Sequence, residues 1–359
     1  MGAAPGVPMP QQGPTGFSQR IIAWQRQHGR HDLPWQASRD PYRVWLSEIM
    51  LQQTQVSTVL AYYPRFLARF PDVASLAAAS LEDVLGLWSG LGDYTRARNL
   101  HRCARQVTER CAGRFPRSAQ ALQELPGIGR STAAAIAAFC FGERAAILDG
   151  NVKRVLARVF GIDADSSLAA NQRALWQRAE ALLPNRDLPD AMPAYTQGLM
   201  DLGATICTLR RPACAICPLQ DVCVAAREGQ PERYPVKSRR PRRGRMTLWL
   251  LHAVDARGRV WLAQRPASGI WARLHCLPQY ATRDALLDSL PVAARRTVVE
   301  HAPFVHVLTH RDLDVHVLSA HLPASACQAP EGCWYAQAEW PALGLPAPVR
   351  RFLGAQLQS

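Results

Sequence analysis

Two carboxylates in this chain stand in contrasting surroundings. Glu48 lies in "VWLSEIML", where Val44 and Leu51 share its helical face. A carboxyl on an apolar face loses solvent, its pKa rises, and it can hold a proton near neutrality. Asp149 follows the apolar run "AAIL" and precedes a helical segment. That is the place of an N-cap, where backbone N–H groups and the helix dipole favour a carboxylate. Cap and functional anion are compatible roles. A neutral acid beside an ionised carboxylate is the pairing that cleaves glycosidic bonds: one protonates the leaving group, the other stabilises an oxocarbenium-like sugar. A partly buried, hydrogen-bonded structural glutamate is the other reading of Glu48.

Four cysteines crowd into "CTLRRPACAICPLQDVC". Cys207, Cys214, Cys217 and Cys223 have six, two and five residues between them. Zinc sites usually pair two Cys-x-x-Cys knuckles across a longer loop, and only one such pair is present. Four thiolates in one compact loop suit a cubane iron–sulfur cluster, with zinc as the alternative. No cysteine is left over for chemistry, so the site reads as structural. Arg210 and Arg211 lie inside the loop and would carry it toward a phosphate backbone.

The stretch "ELPGIGRSTAAAIAAF" puts two glycines around one isoleucine just before a small-residue helix. Free backbone N–H groups at such a turn favour an anion. It is not a P-loop: Gly127 and Gly129 are separated only by Ile128, and no Gly-Lys-Ser/Thr follows. Nor is it a dinucleotide fingerprint, since Thr132 takes the third glycine's place and the upstream "SAQALQEL" has helical spacing. What remains is helix, tight hairpin, helix: an ordinary αα-turn or a grip on a nucleic-acid phosphate.

The elements that must position these residues come in two regimes. From Phe17 to about Ala226 apolar residues recur three and four apart, as in "FSQRIIAWQ", "SLEDVLGLW" and "NVKRVLARVF". Residues 227–245 turn polar and arginine-rich, with Pro231, Pro235 and Pro241, and read as a basic linker. After Met246, "TLWLLHAV", "RVWLAQR" and "LDVHVLSAHL" have strand character, "DARG" reads as a hairpin turn, and a short helix is expected over 283–290. The expected domains are therefore a flexible arm (1–16), an all-α domain (17–226) holding the cysteine loop at 207–223, the linker, and a smaller α+β domain (246–356). Lys plus Arg is 42 against 28 acidic residues, a net charge of +14, the footprint of a polyanion partner. The start "MGAAPGVPMPQQGPTG" lacks an apolar signal segment, and the run Ala133 to Phe141 is too short to span a bilayer. A cytoplasmic monomer with reduced or metal-bound cysteines is expected, with no membrane partner.

The hairpin "LPGIGRSTAAAI", the stretch "ILDGNVKRVLARVF" and the cysteine loop together resemble the helix-hairpin-helix base-excision glycosylases. Adding "DLPWQ", "WLSEIMLQQTQV" and "GLGDYTRARNL", the sequence from about Phe17 to Leu353 resembles adenine DNA glycosylases of the MutY family. The resemblance implies an all-α glycosylase domain with a [4Fe-4S] cluster on the four cysteines and a Nudix-like C-terminal domain. It implies removal of adenine from double-stranded DNA, where it is mispaired with 8-oxoguanine or guanine, with Gly127 and Gly129 gripping a backbone phosphate. Glu48 falls on the acid that protonates adenine, Asp149 on the carboxylate that stabilises or captures the sugar. Leu51, Gln53 and Thr54 fall near the base pocket and wedge, and Asp201 on an acid contacting the flipped base.

Ser131 stands where bifunctional relatives carry a lysine. An amine forms a Schiff base with the opened sugar and a hydroxyl does not, so the reaction should stop at base removal. Two places depart from the family pattern. Asp93 occupies the position of an aromatic wedge, with Tyr94 beside it, and Leu308-Thr309-His310 replaces a Phe-Ser-His tip that reads oxidised guanine. A Nudix hydrolase is not expected, because Asp284, Asp288 and Glu300 are isolated rather than paired as a magnesium cluster. The alternatives are an iron–sulfur glycosylase with lyase activity on damaged pyrimidines, and a non-catalytic DNA-binding protein on the same scaffold.

Overall fold

The computed structural model describes residues 16–165, 168–236, 243–308, 310–326 and 332–357. In chain order the helices of the N-terminal part are α1 (Phe17–His28), α2 (Pro41–Leu51), α3 (Val56–Arg69), α4 (Val73–Ala78), α5 (Leu81–Trp88) and α6 (Tyr94–Arg110). They continue with α7 (Ala119–Leu122), α8 (Arg130–Phe141), α9 (Gly150–Val159), α10 (Ala169–Ala181), α11 (Leu188–Asp201) and α12 (Val224–Arg227). The C-terminal part contains β1 (Gly244–Val254), β2 (Val260–Gln264), β3 (His275–Cys276) and β4 (Gln279–Tyr280), then α13 (Arg283–Asp288) and α14 (Val292–Arg295). It ends with β5 (Val299–Glu300), β6 (Phe304–Val307), β7 (Arg311–His321), β8 (Gly332–Tyr335) and α15 (Ala347–Gln356). Among the described residues, no helix is long and apolar enough to cross a membrane.

The chain divides into two compact units that are not contiguous in sequence. One takes residues up to Tyr63, Asp72–Ala74 and Arg102 onward to the linker. The other takes Pro64–Pro71, Ser75–His101 and the chain after the linker.

The first unit is helical. Its core gathers Phe17 and Ile21 of α1, Ala134 and Ala138 of α8, Val152 and Leu156 of α9, and Tyr195 and Leu199 of α11. Ala133 to Ala138 are all buried, and their small side chains let α8 pack closely against its neighbours. Close approach is demanded at Gly198 as well, where a Cβ would stand 2.7 Å from Ile21 Cγ2.

The second unit is built on a mixed sheet of order β3-β2-β1-β7-β5, with β4 on β1, β6 on β7 and β8 on β2. Strands β1 and β7 run parallel from Gly244↔Arg311 to Val254↔His321. The turn 255–258 closes β1 onto β2 as a hairpin, with Gly258 at φ 73°. One sheet face packs Leu248, Leu250, Leu313 and Val315 against Val349 and Leu353 of α15; the other packs Leu251 and Leu318 against Leu286 of α13. Residues 75–101 belong here too. A Cβ on Gly86 would stand 2.3 Å from the Ala342 carbonyl oxygen, and Tyr94 Oη donates to the Leu345 carbonyl at 2.7 Å.

Candidate active site and nucleic-acid interface

Helix α2 is fixed at its start by Asp40, whose carboxylate accepts the Arg43 N–H at 3.0 Å, and by Pro41 in the first turn. Its buried face carries Val44, Trp45, Leu46, Ile49 and Met50. Glu48 is turned to the wall of a cavity of about 340 Å³, together with Arg30, His31, Trp35, Gln36 and Gln197. The cavity leaves Glu48 part of its surface, yet burial of the carboxyl pushes its pKa up to about 8, and the charge of Asp149 pushes the same way. Held there, the carboxyl keeps its proton at neutral pH.

Asp149 is the N-cap of α9, its Oδ1 accepting the Val152 N–H at 2.8 Å. Burial raises its pKa; the Val152 and Asn151 N–H groups, Arg154 and Lys153 pull it back down. Capping amides and the helix dipole alone would favour the ionised carboxylate. Desolvation wins over them here, so the net shift is upward. The ordering between the two acids survives, because the Asp149 charge is among the causes that keep Glu48 protonated.

The hairpin between α7 and α8 is anchored by buried Ile128, while Gly127 and Gly129 are exposed. Gly127 has φ 78°, the left-handed region that favours glycine, and Gly129 caps α8. Ser131, in the first turn of α8, accepts the Leu148 N–H through Oγ at 3.0 Å. Its neighbour Thr132 accepts from Gln52 Nε2 at 3.3 Å. Beyond α2, Leu51 is half-buried, and Gln53 is exposed with φ 55°, a strained conformation for a residue with a side chain. The Thr54 hydroxyl donates to the Gln52 carbonyl at 3.3 Å.

Asp201 is fully buried, and its carboxylate is engaged by Arg30 and Gln197. Arg30 Nε and the Arg30 N–H donate to it at 2.7 and 2.9 Å, and Gln197 Nε2 at 2.8 Å. It reaches the cavity only through those two residues, which do line it. Sequence reasoning missed Arg30, Gln197 and Gln36. Gln197 was findable, since it stands one helical turn before Asp201. The Gln36 amide nitrogen is buried without a protein partner in a wall of the cavity, a donor available to a bound base.

Cys207, Cys214, Cys217 and Cys223 line one small cavity with Val155, Val159, Leu202 and Leu219. None is in a disulfide. Burial pushes the Cys217 thiol up to about 12, with the other three thiols adding to the effect, so the four are near neighbours. Arg158 donates to Cys207 Sγ at 3.3 Å, the kind of cation a thiolate set needs. Among the described residues, no three His, Cys, Asp or Glu side chains come together around a single-ion site.

The lesion-reading candidates belong to the second unit. Asp93 is exposed and accepts the Thr95 N–H at 3.1 Å, so it caps α6. Tyr94 is half-buried, and its hydroxyl, held on Leu345 and 3.0 Å from Ser89 Oγ, is spent inside the unit. Leu308 packs against the sheet core and His310 is exposed at the tip of the β6–β7 hairpin, where the Leu308 N–H donates to the Arg311 carbonyl at 2.8 Å. Thr309 lies outside the described residues. Asp288 pairs with Arg295 and Glu300 with Arg283 on the surface.

A helix-borne carboxyl on a cavity wall, a second carboxylate capping a helix and a glycine hairpin have a counterpart in known proteins: residues 46–181 match the HhH-GPD superfamily of base excision DNA repair proteins, and residues 249–355 a NUDIX domain. The chain is 35% identical over 342 residues to the adenine DNA glycosylase of Buchnera aphidicola, covering 94% of this chain and 96% of that one. It is 44% identical over 227 residues to the adenine DNA glycosylase of Homo sapiens, covering 61% of this chain and 41% of that protein. A thermostable thymine-DNA glycosylase of known structure superposes with a TM-score of 0.52 at 32% identity, over 59% of this chain and 95% of that one. The chain belongs to the adenine DNA glycosylase family: it is an N-glycosylase of base excision repair acting on adenine in DNA.

Proposed function

We propose that this protein removes adenine mispaired with 8-oxoguanine, and also with guanine, and stops at the abasic site. The observation that carries the reading is Glu48, held near pKa 8 in a cavity wall within the electrostatic reach of Asp149. Extruded adenine enters the cavity, where Arg30, Gln36 and Gln197 present hydrogen-bond donors to its edge. Glu48 gives its proton to a ring nitrogen, the N-glycosidic bond breaks with its electron pair on the base, and Asp149 faces the resulting sugar cation. Water then adds to the anomeric carbon, and the Glu48 carboxylate recovers a proton from it. The amides of Gly127–Gly129 and the start of α8 hold a backbone phosphate. The turns that carry the exposed Asp93 and His310 face the lesion strand.

The four cysteines line one small cavity, and four thiolates in one compact loop suit a [4Fe-4S] cluster, with zinc as the alternative. Such a cluster would be structural, fastening the loop that carries Arg210 and Arg211. The chain acts as a monomer.

A single-turnover assay on an adenine–8-oxoguanine duplex, with and without alkali, tests the reading. Base loss with strand breakage only after alkali supports it. Breakage without alkali would point to the lyase alternative, and no base loss to a binding protein. Stoichiometric iron and sulfide are expected in purified protein; stoichiometric zinc in colourless active protein overturns the cluster assignment.

A further inference from the structure

The segment 144–148 runs without regular secondary structure from α8 to Asp149. Ile147 and Leu148 are buried, so their backbone groups need partners inside the protein. The Leu148 N–H finds the Ser131 hydroxyl at 3.0 Å, one residue before the carboxylate that caps α9. Ser131 stands two residues after Gly129, in the first turn of α8, beside the hairpin proposed to hold a phosphate. Thr132, next in sequence, ties the same turn to Gln52 at the end of the helix carrying Glu48. Three functional parts thus meet at one helical turn through two side-chain hydroxyls: the hairpin, the approach to Asp149 and the end of α2.

We propose that Ser131 is a positioning residue for Asp149, so that the hairpin's hold on DNA is transmitted to the alignment of the anion with the sugar. The inference rests on the proposed roles of the hairpin and Asp149. Ser131 touches no reacting atom. Its hydroxyl fixes the direction in which the backbone enters the N-cap, and a misplacement of an ångström or less at a catalytic group is enough to slow the chemistry. The same bond supplies a partner for an otherwise stranded buried N–H.

The test uses the full-length protein, with active-site titration so that rates refer to folded enzyme. Ser131→Ala is expected to lower the single-turnover rate of adenine release roughly tenfold, about 1.4 kcal/mol of barrier, while affinity for abasic-product duplex stays within about twofold. Ser131→Thr, which keeps the hydroxyl, should restore most of the rate. Amide hydrogen exchange at Leu148 should speed up in the alanine variant and not in the threonine variant. An unchanged rate in Ser131→Ala overturns the proposal, as does a fall in melting temperature with the rate per folded molecule intact. Failure of threonine to rescue also overturns it. Asp149→Asn is assayed alongside. If that variant keeps full activity, the reading of Asp149 has failed; if only the Ser131 variants do, the positioning role alone has failed.

Discussion

The two units present their functional residues in opposite ways. In the helical unit, Glu48 and Asp149 are surrounded: one is embedded in the wall of a cavity, the other locked by its own cap hydrogen bond, and burial reshapes the acidity of both. In the sheet unit, Asp93 and His310 stand exposed on turns. Buried groups gain chemistry from what packs against them; exposed groups act only through what they touch when DNA arrives. Changes in the first unit should therefore alter rates by orders of magnitude, and changes in the second should alter affinity by small factors.

The largest effect is expected for Glu48→Gln, which keeps the shape and removes the proton. Adenine release should fall by ~10²–10⁴-fold, the usual worth of acid catalysis, with DNA binding retained. Linkage gives a second signature. The folded state keeps Glu48 protonated up to about 8, whereas the unfolded chain releases that proton near the ordinary glutamate range. Stability is therefore lost as pH rises through that interval, and the glutamine variant should escape the loss. Its melting temperature should exceed that of the parent at pH 8 by more than at pH 5, and a lower value at pH 8 would count against a buried neutral acid.

Asp149→Asn should also remove most activity while melting almost unchanged, because Asn caps as well as Asp. A large loss of stability with activity retained would make the residue a cap only. Between these two acids the single-turnover rate should be bell-shaped in pH. On the alkaline side it should fall about tenfold per pH unit above roughly 8, as Glu48 ionises. On the acid side it should fall as Asp149 takes up a proton, starting above the range of an ordinary aspartate. A flat profile between pH 7 and 10 would break the assignment of Glu48.

Ser131→Lys should give strand cleavage that borohydride traps, but at reduced base-release rate, because the lysine no longer offers Leu148 an acceptor. Strong trapping by the unmodified protein would sink the monofunctional reading. The smallest effects belong to Asp93. Asp93→Tyr restores a stacking ring but gives up the α6 cap, at a cost of about 1 kcal/mol. It should melt a few degrees lower while binding the 8-oxoguanine duplex more tightly than undamaged DNA. Asp93→Asn keeps the cap and drops the charge, so it should melt normally and bind DNA only slightly better at low salt. Equal lesion affinity for the parent and the tyrosine variant would show that this turn does not face the duplex.

Much of the helical unit was legible because its signals are local. Asp149 before "GNVKRV" is an N-cap on spacing alone, and the Gly-Ile-Gly hairpin needs only its own residues to turn. The apolar face of α2 announced the raised pKa of Glu48. Arg30 and Gln36 were not legible, because nothing in "GRHDLPWQ" says that α11 will close over them; only the buried Asp201 carboxylate, far along the chain, gives Arg30 its place. The upward shift of Asp149 was missed for the same reason, since desolvation is a property of the packed ensemble. At Asp93 the sequence showed the departure from the family, and only the structure showed that the acid caps the next helix.

The division of the chain also bears on how such a protein can be taken apart or assembled. Residues 75–101 precede the Gly127–Gly129 hairpin in sequence, yet they dock on the far C-terminal segment, with Gly86 pressed against Ala342 and Tyr94 fastened to Leu345. Scissors at the arginine-rich linker would thus cut between names and not between parts. A fragment ending there would keep Val84, Leu85 and Trp88 without the residues 341–345 that share their unit, and should be sticky and poorly soluble. A gene fusion that simply appended a sheet domain to a helical glycosylase would have met the same bare surface. A side chain at Gly86 would press on the Ala342 backbone and one at Gly344 on Leu85, so a substitution at either glycine should loosen this seam.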